Sequence, residues 1–579
     1  MTEEKMPSFM RSLCMGRIEQ DVLLPFPTMR DGDKEMLQGV AEALSSMLGA
    51  HEEDFRRWDR EGEFPSEYID ELKEFGAFGL IIPEDEGGLG FGSMAYSRAL
   101  QEVAKYDAST AVTIGAHSSI GMRGLKLFGT DEQKKRYYPK LSTGEMIAAF
   151  CLTEPGAGSD AASIATVAKR DGDDWVLNGN KLWITNGGIA SFFTVFAKTD
   201  ASKRGGMTAF IVTTEMEGVS VGPHEDKMGL RASSTTTVNF DEVRVPADHM
   251  LGEEGQGFKV AMKILNSGRT GLGGGSVGAM KKIIEMATAQ ASERKQFGQA
   301  IKDFGLIQQK IGQMVVDCYA AESVVTLVAG LVDAGHEDYA VEAAISKVFA
   351  TEALWRTADE GLQVAGGNGY MCEFPYERML RDCRINRIFE GTNDILRLFI
   401  ALTGMNGVAS ELKELASLRK SIFSHPIKGF GVLSDYATKQ AQLRTGIRAE
   451  GTHFTRLVPE LAAYADSFED ATRELATATD RVLRKHGKGI IGKQFATRRL
   501  AEIMIDLFVW AAVMARVNDA IAAGADDAEQ QREILHVFAG AATKRIRHQL
   551  RRIDDNDDET LKSVAAHAFE LGRFAWDTI

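Results

Sequence analysis

The stretch Thr153–Asp160, TEPGAGSD, lies where the pattern of this sequence changes. Before it, apolar and charged residues recur at helical spacing, most clearly in 41–57 and 93–108. After it, β-rich runs follow one another for about the next hundred residues. The proline and glycines of the stretch itself are typical of a loop. The sequence therefore predicts a helical domain at 31–150, joined by this loop to a β domain at 151–255.

The β domain is predicted from runs rich in β-branched and aromatic residues. The run Trp175–Ile184 has the pair Asn178-Gly179 at its middle, and this pair between strand-like segments favours a two-residue hairpin turn. The other β-rich runs are Phe192–Ala197, Met207–Thr213 and Thr235–Phe240. We therefore expect a hairpin within 175–184 and further strands at the other runs.

Helical spacing returns at Gly257 and continues to about Gly404, with runs long enough to suggest a bundle. It is then interrupted at Pro426 and the nearby glycines, and the last part of the chain is Ala-rich and helical. The remaining predicted domains are an N-terminal arm at 1–30, a helical bundle at 256–405, a linker or amphipathic segment at 406–450, and a C-terminal helical domain at 451–579.

The composition of the 579 residues is that of a globular protein, with 44% hydrophobic and 26% charged residues. The net charge of −15 argues against nucleic acid as a partner, because no overall positive field exists to displace counterions. The five cysteines form no C-x-x-C pair and the histidines are isolated, so neither a disulfide framework nor a metal site is predicted. With no signal peptide pattern at the N-terminus, we expect a cytoplasmic, bacterial protein.

A candidate base occurs in Arg387–Asp394, RIFEGTND. Apolar neighbours disfavour the ionised form of Glu390, so the pKa of this carboxyl is expected to rise toward that of a useful base. Gly391 allows a ligand to approach the backbone, and the next two residues offer hydrogen bonds. Alone, such a run is more often simply a turn. Together with the rest of the chain, it indicates a place to remove a proton from carbon.

Two segments near the start of the β domain are candidate ligand-binding elements. Thr153–Asp160 exposes backbone N–H groups and adds hydroxyl donors, so it can hold an anionic or heteroaromatic ligand; a plain surface connection is the alternative. Trp183 could pack on a flavin ring while Thr185 bonds one of its nitrogens. The alternative for Trp183, favoured when it is taken alone, is a strand-end tryptophan packed in a core.

Two segments of the bundle offer contacts to a phosphate-containing ligand. Arg294, which follows a helix in Arg294–Gly298, could pair with a pyrophosphate, or it could be a solvated helix end. The glycines of Gln363–Gly369 permit close backbone approach, although a helix C-cap explains at least one of them. The matches to G-x-G-x-x-G and G-x-S-x-G within 273–278 are set aside, because they lie in a helical block without a preceding strand. Small residues that let two helices pack closely explain both matches better.

In this order, the five motifs resemble the acyl-CoA dehydrogenase family over about residues 60–405. They are Thr153–Asp160, Trp183–Gly188, Arg294–Gly298, Gln363–Gly369 and Glu390–Asp394. The C-terminal extension, with Arg484–Ile490, resembles the very-long-chain branch, which includes a relative that assists assembly of respiratory complex I. The resemblance implies an α+β, mostly α fold: a helical domain, a β-barrel-like middle domain, a four-helix bundle and a C-terminal helical domain.

The resemblance also implies FAD as the cofactor, bound between the β domain and the bundle, with Thr185 near flavin N5 and part of the site formed across a subunit interface. By motif match, the FAD-binding residues are Phe150, Leu152, Thr153, Gly158, Ser159, Trp183, Ile184, Thr185, Arg294, Gln296, Phe297, Gln363, Gly366, Gly367, Thr392 and Asp394. The residues assigned to acyl-CoA are Ser159, Asn266, Arg269, Gly391 and Gly115. No metal is implied.

Glu390 matches the catalytic base of the family. Some members carry the base one residue before a bundle arginine, but Gly268 precedes Arg269 here, so no second carboxylate competes. The family often has tyrosine where Phe389 stands, a small departure that should not abolish the chemistry. Many members have glutamine where Gly305 stands, so the contacts to the adenine end of FAD are less certain here. The implied reaction removes the α proton of a long or very-long-chain acyl-CoA to Glu390 and its β hydrogen as hydride to flavin.

The implied product is a trans-2-enoyl-CoA of fatty acid β-oxidation, with electrons passing to an electron-transfer flavoprotein. Gly115 aligns where medium-chain members have a larger polar residue, so we expect space for a longer chain. The resemblance implies a homodimer. The segment 418–448 mixes apolar and basic residues and either contacts an anionic membrane surface or packs as a linker on the C-terminal bundle. The alternative functions are an acyl-CoA oxidase on the same scaffold and a non-catalytic assembly or binding protein.

Overall fold

The computed structural model of the chain describes residues 7–421, 438, 442–443 and 449–578, which form two compact units. One unit is Phe26–Ile395, and the other combines residues 7–25 with the described residues from 396 onward. The predicted membrane-contact segment 418–448 lies outside the described residues, except for the end of one helix and three isolated positions. The prediction for that segment therefore stays a prediction.

The N-terminal part of the chain is helical, as predicted. Its helices are α1 (Phe9–Cys14), α2 (Asp31–Ala50), α3 (Glu52–Glu61), α4 (Ser66–Phe75), α5 (Ser93–Tyr106), α6 (Ala108–Gly115), α7 (Arg123–Phe128) and α8 (Asp131–Ser142). A capping box begins α8, since the Thr130 side chain accepts from the Gln133 N–H and Gln133 bonds back to Thr130. A π-helical segment, Ala116–Gly121, continues α6. Such segments are frequent at functional sites.

The middle of the first unit is a β-sheet. Its strands are β1 (Ala148–Cys151), β2 (Val167–Asp171), β3 (Asp174–Thr185), β4 (Phe192–Lys198), β5 (Met207–Thr213), β6 (Val219–Val221), β7 (Thr235–Val245) and β8 (Met250–Leu251). The order is β6-β7-β3-β2-β4-β5-β8, and β1 pairs in parallel with β4. Strands therefore form where the β-rich runs were predicted.

The predicted hairpin within 175–184 is wrong. Residues 174–185 form the single strand β3, and the turn comes earlier, where Asp171 pairs with Asp174. Gly179 instead lies at an irregularity in the pairing of β3 with β7. A Cβ at Gly179 would lie 2.7 Å from the Cα of Thr166. The glycine is therefore required by close backbone approach in the sheet, not by a turn.

The bundle that follows completes the first unit. Its helices are α9 (Gly257–Glu293), α10 (Gly305–Asp333), α11 (Ala340–Ala365), α12 (Gly367–Tyr370), α13 (Tyr376–Arg384) and α14 (Asn393–Gly404, which runs into the second unit). The glycine-rich stretch of α9 is helical and packs on α5: a Cβ at Gly274 would lie 2.6 Å from the carbonyl oxygen of Ser97. This confirms helix packing as the reason for these glycines. By length and composition α10 could span a membrane, but 72% of its apolar window is buried.

The second unit is helical. Besides α1, its helices are α15 (Asn406–Ser421), α16 (Ala462–His486), α17 (Gln494–Ala522), α18 (Ala528–Asp554) and α19 (Asp558–Leu571). The apolar run Leu507–Ala515 lies in α17 and is buried throughout. The rings of Phe9 and Phe508 are 6.0 Å apart, so α1 contributes to the same core. The C-terminal part of the chain is thus helical, as predicted.

Candidate active site

The candidate base lies in a turn between α13 and α14. Glu390 has φ of 55° and Gly391 has φ of 92°, so two successive residues adopt the left-handed region. For a glutamate this backbone conformation costs energy and persists only when its surroundings fix it. Strain of this kind is concentrated at functional sites. The Thr392 hydroxyl oxygen accepts the Ile395 N–H at 3.2 Å, which caps the first turn of α14.

The Glu390 carboxylate faces α9 at Gly268. Its Oε2 is buried and has no hydrogen-bond partner within the described chain. A Cβ at Gly268 would lie 3.1 Å from this oxygen and 2.7 Å from Cγ2 of Ile120. Gly268 thus leaves the space into which the carboxylate points. An unbonded carboxylate oxygen inside a protein is costly, and it is therefore available to a bound ligand.

The surroundings of Glu390 set its protonation. Burial raises the pKa of Glu390 from 4.5 to about 6, although the positive charges of Lys347 and Arg269 oppose the increase. Arg269 is itself buried, which lowers its pKa to about 10, and one of its nitrogens donates to Oδ1 of Asn266 at 2.6 Å. The group is thus a carboxylate at neutral pH and a stronger base than an exposed glutamate. The predicted rise in its pKa agrees with this geometry.

Helix α11 forms hydrogen bonds with the turn that carries Glu390. Nζ of the fully buried Lys347 donates to the Gly391 carbonyl oxygen at 3.0 Å and to Oδ1 of Asn393 at 2.8 Å. Nδ2 of Asn393 donates in turn to Thr351 Oγ1 and Glu352 Oε1, each at 3.0 Å. Every polar group of the Asn393 amide therefore has a partner on α11, which fixes the chain directly after the base.

A second surface is formed by the loop Thr153–Asp160 and the end of β3. The Leu182 N–H donates to the Thr153 carbonyl oxygen at 2.9 Å. Nζ of Lys181 is 2.6 Å from Oε1 of Glu154, and both side chains are buried. Burial opposes ionisation of Glu154, but its contacts with Lys181 and with the N–H groups of Ala165 and Thr166 lower its pKa overall. A buried ion pair thus anchors the loop beside the strand.

Trp183 is exposed on this second surface. Its exposed fraction is 63% and its φ is 56°, at an irregularity of β3 between Lys181 and Ile184. The alternative interpretation, a tryptophan packed in the core, is therefore wrong. Next to it, Thr185 is half-buried, and Gly158 and Ser159 are exposed. A strained, solvent-facing indole beside hydroxyl and backbone donors matches the isoalloxazine ring of a flavin, which presents both a planar face and polar edges.

The other predicted FAD residues of this region lie around the same surface. Phe150 is half-buried, with its ring 5.1 Å from that of Phe196. Leu152 and Ile184 are buried and support the loop and the strand from below. The remaining residue, Asp394, belongs to the bundle and not to this surface, and it is exposed in the first turn of α14. The structure therefore brings the β-domain members of the predicted set together, whereas their roles toward FAD stay predictions.

Two further predicted segments are exposed at the end of the bundle. Lys295–Gln296 and Gln299–Ala300 pair as a short hairpin, with Phe297 and Gly298 both at positive φ in its turn. Phe297 is 95% exposed at the tip. At the end of α11, Gln363, Gly366 and Gly367 are also exposed, and Gly366 has φ of 62° as a C-cap residue. Within the described chain, no hydrogen bond joins either segment to the Thr153–Asp160 loop.

Two buried lysines that shape the site were not identified from the sequence. Lys347 lies in the run AAISKVFA, and Lys181 lies in the strand NGNKLWIT. The signal was present in each case as a lone charge within a run of mostly apolar or β-forming residues. Lysine is almost never fully buried without a partner, so such a position points to a carboxylate or carbonyl acceptor nearby.

Comparisons with known proteins agree with this geometry. The acyl-CoA dehydrogenase N-terminal, middle and C-terminal domain models match residues 33–145, 149–243 and 255–404. The ACAD9/ACADV C-terminal domain model matches residues 459–574. The chain is 42% identical to the very long-chain specific acyl-CoA dehydrogenases of Macaca fascicularis and Homo sapiens, covering 98% and 93% of this chain and 88% and 83% of those proteins.

Solved structures give the same result. An acyl-CoA dehydrogenase from Bacillus anthracis, complexed with FAD, has a TM-score of 0.80 and 32% identity, covering 97% of this chain and 95% of that one. Butyryl-CoA dehydrogenase from Megasphaera elsdenii has a TM-score of 0.62 and 36% identity, covering 65% of this chain and 98% of that one. The predicted fold and FAD cofactor are confirmed by these matches. Over nearly its whole length, this chain belongs to the acyl-CoA dehydrogenase family, with the C-terminal domain of the very-long-chain branch.

Proposed function

We propose that this chain oxidises long or very-long-chain acyl-CoA to trans-2-enoyl-CoA and that Glu390 is the catalytic base. The observation that carries this proposal is the buried, unbonded Oε2 of Glu390, which faces the space left by Gly268. A carboxylate with a raised pKa in that position can accept a proton from carbon. Very-long-chain specificity is supported by the identity with the mammalian enzymes and by the matching C-terminal domain.

The α C–H of a thioester is a very weak acid, so its removal requires stabilisation of the carbonyl oxygen as negative charge develops. In this proposal the Glu390 backbone N–H donates to that oxygen while the Glu390 carboxylate takes the α proton. Bound FAD supplies the redox chemistry by accepting the β hydrogen as hydride. Arg269 and Asn266, joined by their hydrogen bond, lie on the same stretch of α9 and contact the substrate.

Burial of the substrate beside α9 removes water from the carboxylate. Without water, the ionised form of Glu390 loses solvation, so its pKa rises further and its strength as a base increases. Tyr96 stays neutral near this site because burial raises its pKa to about 12. Its hydroxyl is 2.7 Å from Oγ of Ser119, which leaves neither group in need of solvent.

We also propose that electrons pass to an electron-transfer flavoprotein and that the chain acts as a homodimer. The exposed hairpin supports the proposal of a homodimer, because Phe297 at its tip stays 95% exposed even though its ring lies 6.1 Å from the ring of Phe304. In a dimer, Arg294, Gln296 and Phe297 would reach the FAD tail of the partner subunit, together with Gln363, Gly366 and Gly367. A cytoplasmic location likewise stays a prediction.

The experiment that tests this function is anaerobic mixing of the FAD-loaded protein with palmitoyl-CoA. We expect loss of the flavin absorbance near about 450 nm in the wild type. We expect Glu390→Gln to slow this step at least about 100-fold, because a positioned general base contributes about 10²- to 10⁴-fold. The variant should retain flavin, since Glu390→Gln replaces one carboxylate oxygen with an amide group of nearly the same size.

Equal bleaching in the wild type and in Glu390→Gln would show that the base lies elsewhere. Failure of the flavin-loaded wild type to bleach would reject long-chain acyl-CoA as substrate and favour a non-catalytic protein. A parallel measurement of oxygen consumption during turnover separates a dehydrogenase, which consumes little, from an oxidase.

The chain-length preference depends on Gly115. A Cβ at Gly115 would meet no atom within 4 Å, so the residue borders open space. Each buried methylene contributes about 0.8 kcal/mol, so a pocket extended there favours long chains. We expect Gly115→Glu to lower kcat/KM for palmitoyl-CoA more than for octanoyl-CoA. Equal losses with both substrates would contradict a role for Gly115 in chain length.

A further inference from the structure

One face of α11 carries buried and half-buried side chains, most of which are polar. Lys347, Thr351, Glu352 and Trp355 stand at positions i, i+4, i+5 and i+8, so they lie on the same side of the helix. Lys347 and Thr351 are fully buried. This face, which we call the α11 clamp, is directed at the turn 387–393 that carries the base.

The α11 clamp contacts the turn both before and after Glu390 in the chain. After the base, Lys347 bonds the Gly391 carbonyl oxygen and the Asn393 side chain, as described above. Before the base, Oε2 of Glu352 pairs with Nε of Arg387 at 3.0 Å. The guanidinium of Arg387 also lies 5.7 Å from the centre of the Trp355 ring. The two left-handed residues, Glu390 and Gly391, are thus held between fixed points.

Lys347 has a second effect because it is a cation. The charged or titratable groups that face Glu390 are Lys347 on α11, Arg269 on α9 and Tyr96 on α5. Of these, Lys347 and Arg269 favour the ionised carboxylate, which burial opposes. Lys347 also donates hydrogen bonds to the base turn itself, at the Gly391 carbonyl oxygen and at Oδ1 of Asn393.

We propose that Lys347 is a positioning residue for the dehydrogenation: it holds the strained turn that carries Glu390 and supplies a buried positive charge beside it. This inference rests on the proposed function, in which Glu390 is the base. Lys347 does not touch substrate. Its removal lets the turn relax, which moves the carboxylate away from the α carbon, and it withdraws a charge that keeps the carboxylate ionised.

The test uses the full-length, FAD-loaded protein in four forms: wild type, Lys347→Met, Lys347→Gln and the control Lys281→Met. Methionine keeps the length of the apolar stem but removes donor and charge, whereas glutamine removes the charge and keeps an N–H donor group on a stem one atom shorter. Lys281 is a matched control, because it is another lysine of the bundle and is ion-paired with Glu322 away from the base. The measurements are the anaerobic rate of flavin reduction by palmitoyl-CoA between about pH 5 and pH 8, the substrate Kd and the Tm.

We expect Lys347→Met to reduce flavin about 10- to 100-fold more slowly, since a misplacement of about 1 Å at the reacting centre can cost 100-fold. Loss of the cation should raise the pKa of Glu390, so the acid limb of the rate should move to higher pH by about one unit in both Lys347 variants. Lys347→Gln should retain more of the rate than Lys347→Met. The substrate Kd should stay unchanged, because Arg269 and Asn266 are intact.

An unchanged acid limb in both Lys347 variants overturns the proposal, even if their Tm falls, because a purely structural lysine would lower stability without moving the limb. Failure of both variants to fold with flavin also overturns it and makes Lys347 a general stability residue. Glu390→Gln, measured in the same series, separates the assignment of Glu390 as the base from the positioning role of Lys347. If it bleaches like the wild type, the assigned base is wrong; if it does not, and Lys347→Met behaves like Lys281→Met, only the positioning role fails.

Discussion

At the scale of single residues, the reactivity of the site depends on where one carboxylate is buried. Burial raises the pKa of Glu390 to about 6, so lowering the pH through that value protonates this carboxyl. With Glu390 as the proposed base, we expect activity to be lost as it is protonated. We expect kcat/KM for palmitoyl-CoA to fall about tenfold per pH unit below about pH 6 and to be level above it, up to about pH 8. The pH profile of the anaerobic half-reaction measures this. A rate that stays level down to about pH 4.5, near the ordinary value for glutamate, would contradict the raised pKa.

Gly268 allows a second prediction at the same scale. A Cβ there would lie 2.7 Å from Cγ2 of Ile120 and 3.1 Å from Oε2 of Glu390, so Gly268→Ala must displace one of these groups. We expect about a tenfold loss of kcat without loss of folding, because the catalytic geometry tolerates little displacement. Gly275→Ala is the control on the same helix, since its Cβ would lie 3.8 Å from the nearest atom, Cβ of Ala104. Equal kcat values for the two variants would show that Gly268 does not make room for the base.

The sequence pointed to Glu390 as a candidate base, but not to the residues that hold it. Glu390 was recognisable because apolar neighbours and a glycine stand beside it in the chain. Lys347 lies 43 positions earlier, and an isolated lysine in a helix is ordinarily an exposed residue. Only the packing of α11 beneath the turn makes it part of the site. The exposure of Trp183 was likewise not predictable from its neighbours in the chain. It follows from the left-handed conformation of Trp183, which depends on an irregularity in the pairing of β3 with β7.

At the scale of elements, prediction succeeded where local pattern and packing agree. The glycines of α9 were interpreted correctly, because a helix lined with small residues on one side has few uses other than close packing. The Asn178-Gly179 pair was misinterpreted as a hairpin turn, since the local signal for a turn was overridden by pairing along the whole of β3. The side-chain amide of Asn178 instead donates to Oε1 of Glu242 on β7 at 2.7 Å. Strand pairing between residues distant in the chain is what a local pattern cannot show.

The packing of α9 on α5 gives a prediction about stability. A Cβ at Gly278 would overlap the carbonyl oxygen of Gln101 and lie 2.7 Å from its Cα, so Gly278→Ala must push two backbones apart. We expect the free energy of unfolding to fall by about 1–3 kcal/mol, even though alanine favours the helix by up to about 1 kcal/mol. Gly275→Ala, which has room for its Cβ, should be neutral or slightly stabilising. Urea unfolding measures the free energy of unfolding of both variants. Equal values would refute close packing at Gly278.

At the scale of the whole molecule, the order of helical domain, β domain and helical domains was predictable because each block has its own periodicity. The division of the chain into two compact units was not predictable from the sequence. Residues 7–25 belong to the same compact unit as the C-terminal helices, although residues 26–395 separate them in sequence. The N-terminal arm therefore contains a short helix, α1, whose apolar residues are buried. No local signal in the first 30 residues identifies the elements that cover them.

The final prediction concerns assembly. Phe297 is 95% exposed at the tip of a hairpin whose turn residues both have positive φ, so the chain presents a large apolar side chain in a fixed position. In a homodimer that side chain would be buried, which is worth about 1.5–3 kcal/mol per copy. We therefore expect Phe297→Ser to weaken the dimer at least about tenfold and to lower the affinity for FAD, as measured by light scattering and flavin titration. Phe569→Ser, which removes an 85% exposed aromatic residue from α19, is the control. It should change neither the strength of the dimer nor the affinity for FAD. The reverse pattern would place the contact between subunits on the C-terminal helix, and the hairpin would then have no role across an interface.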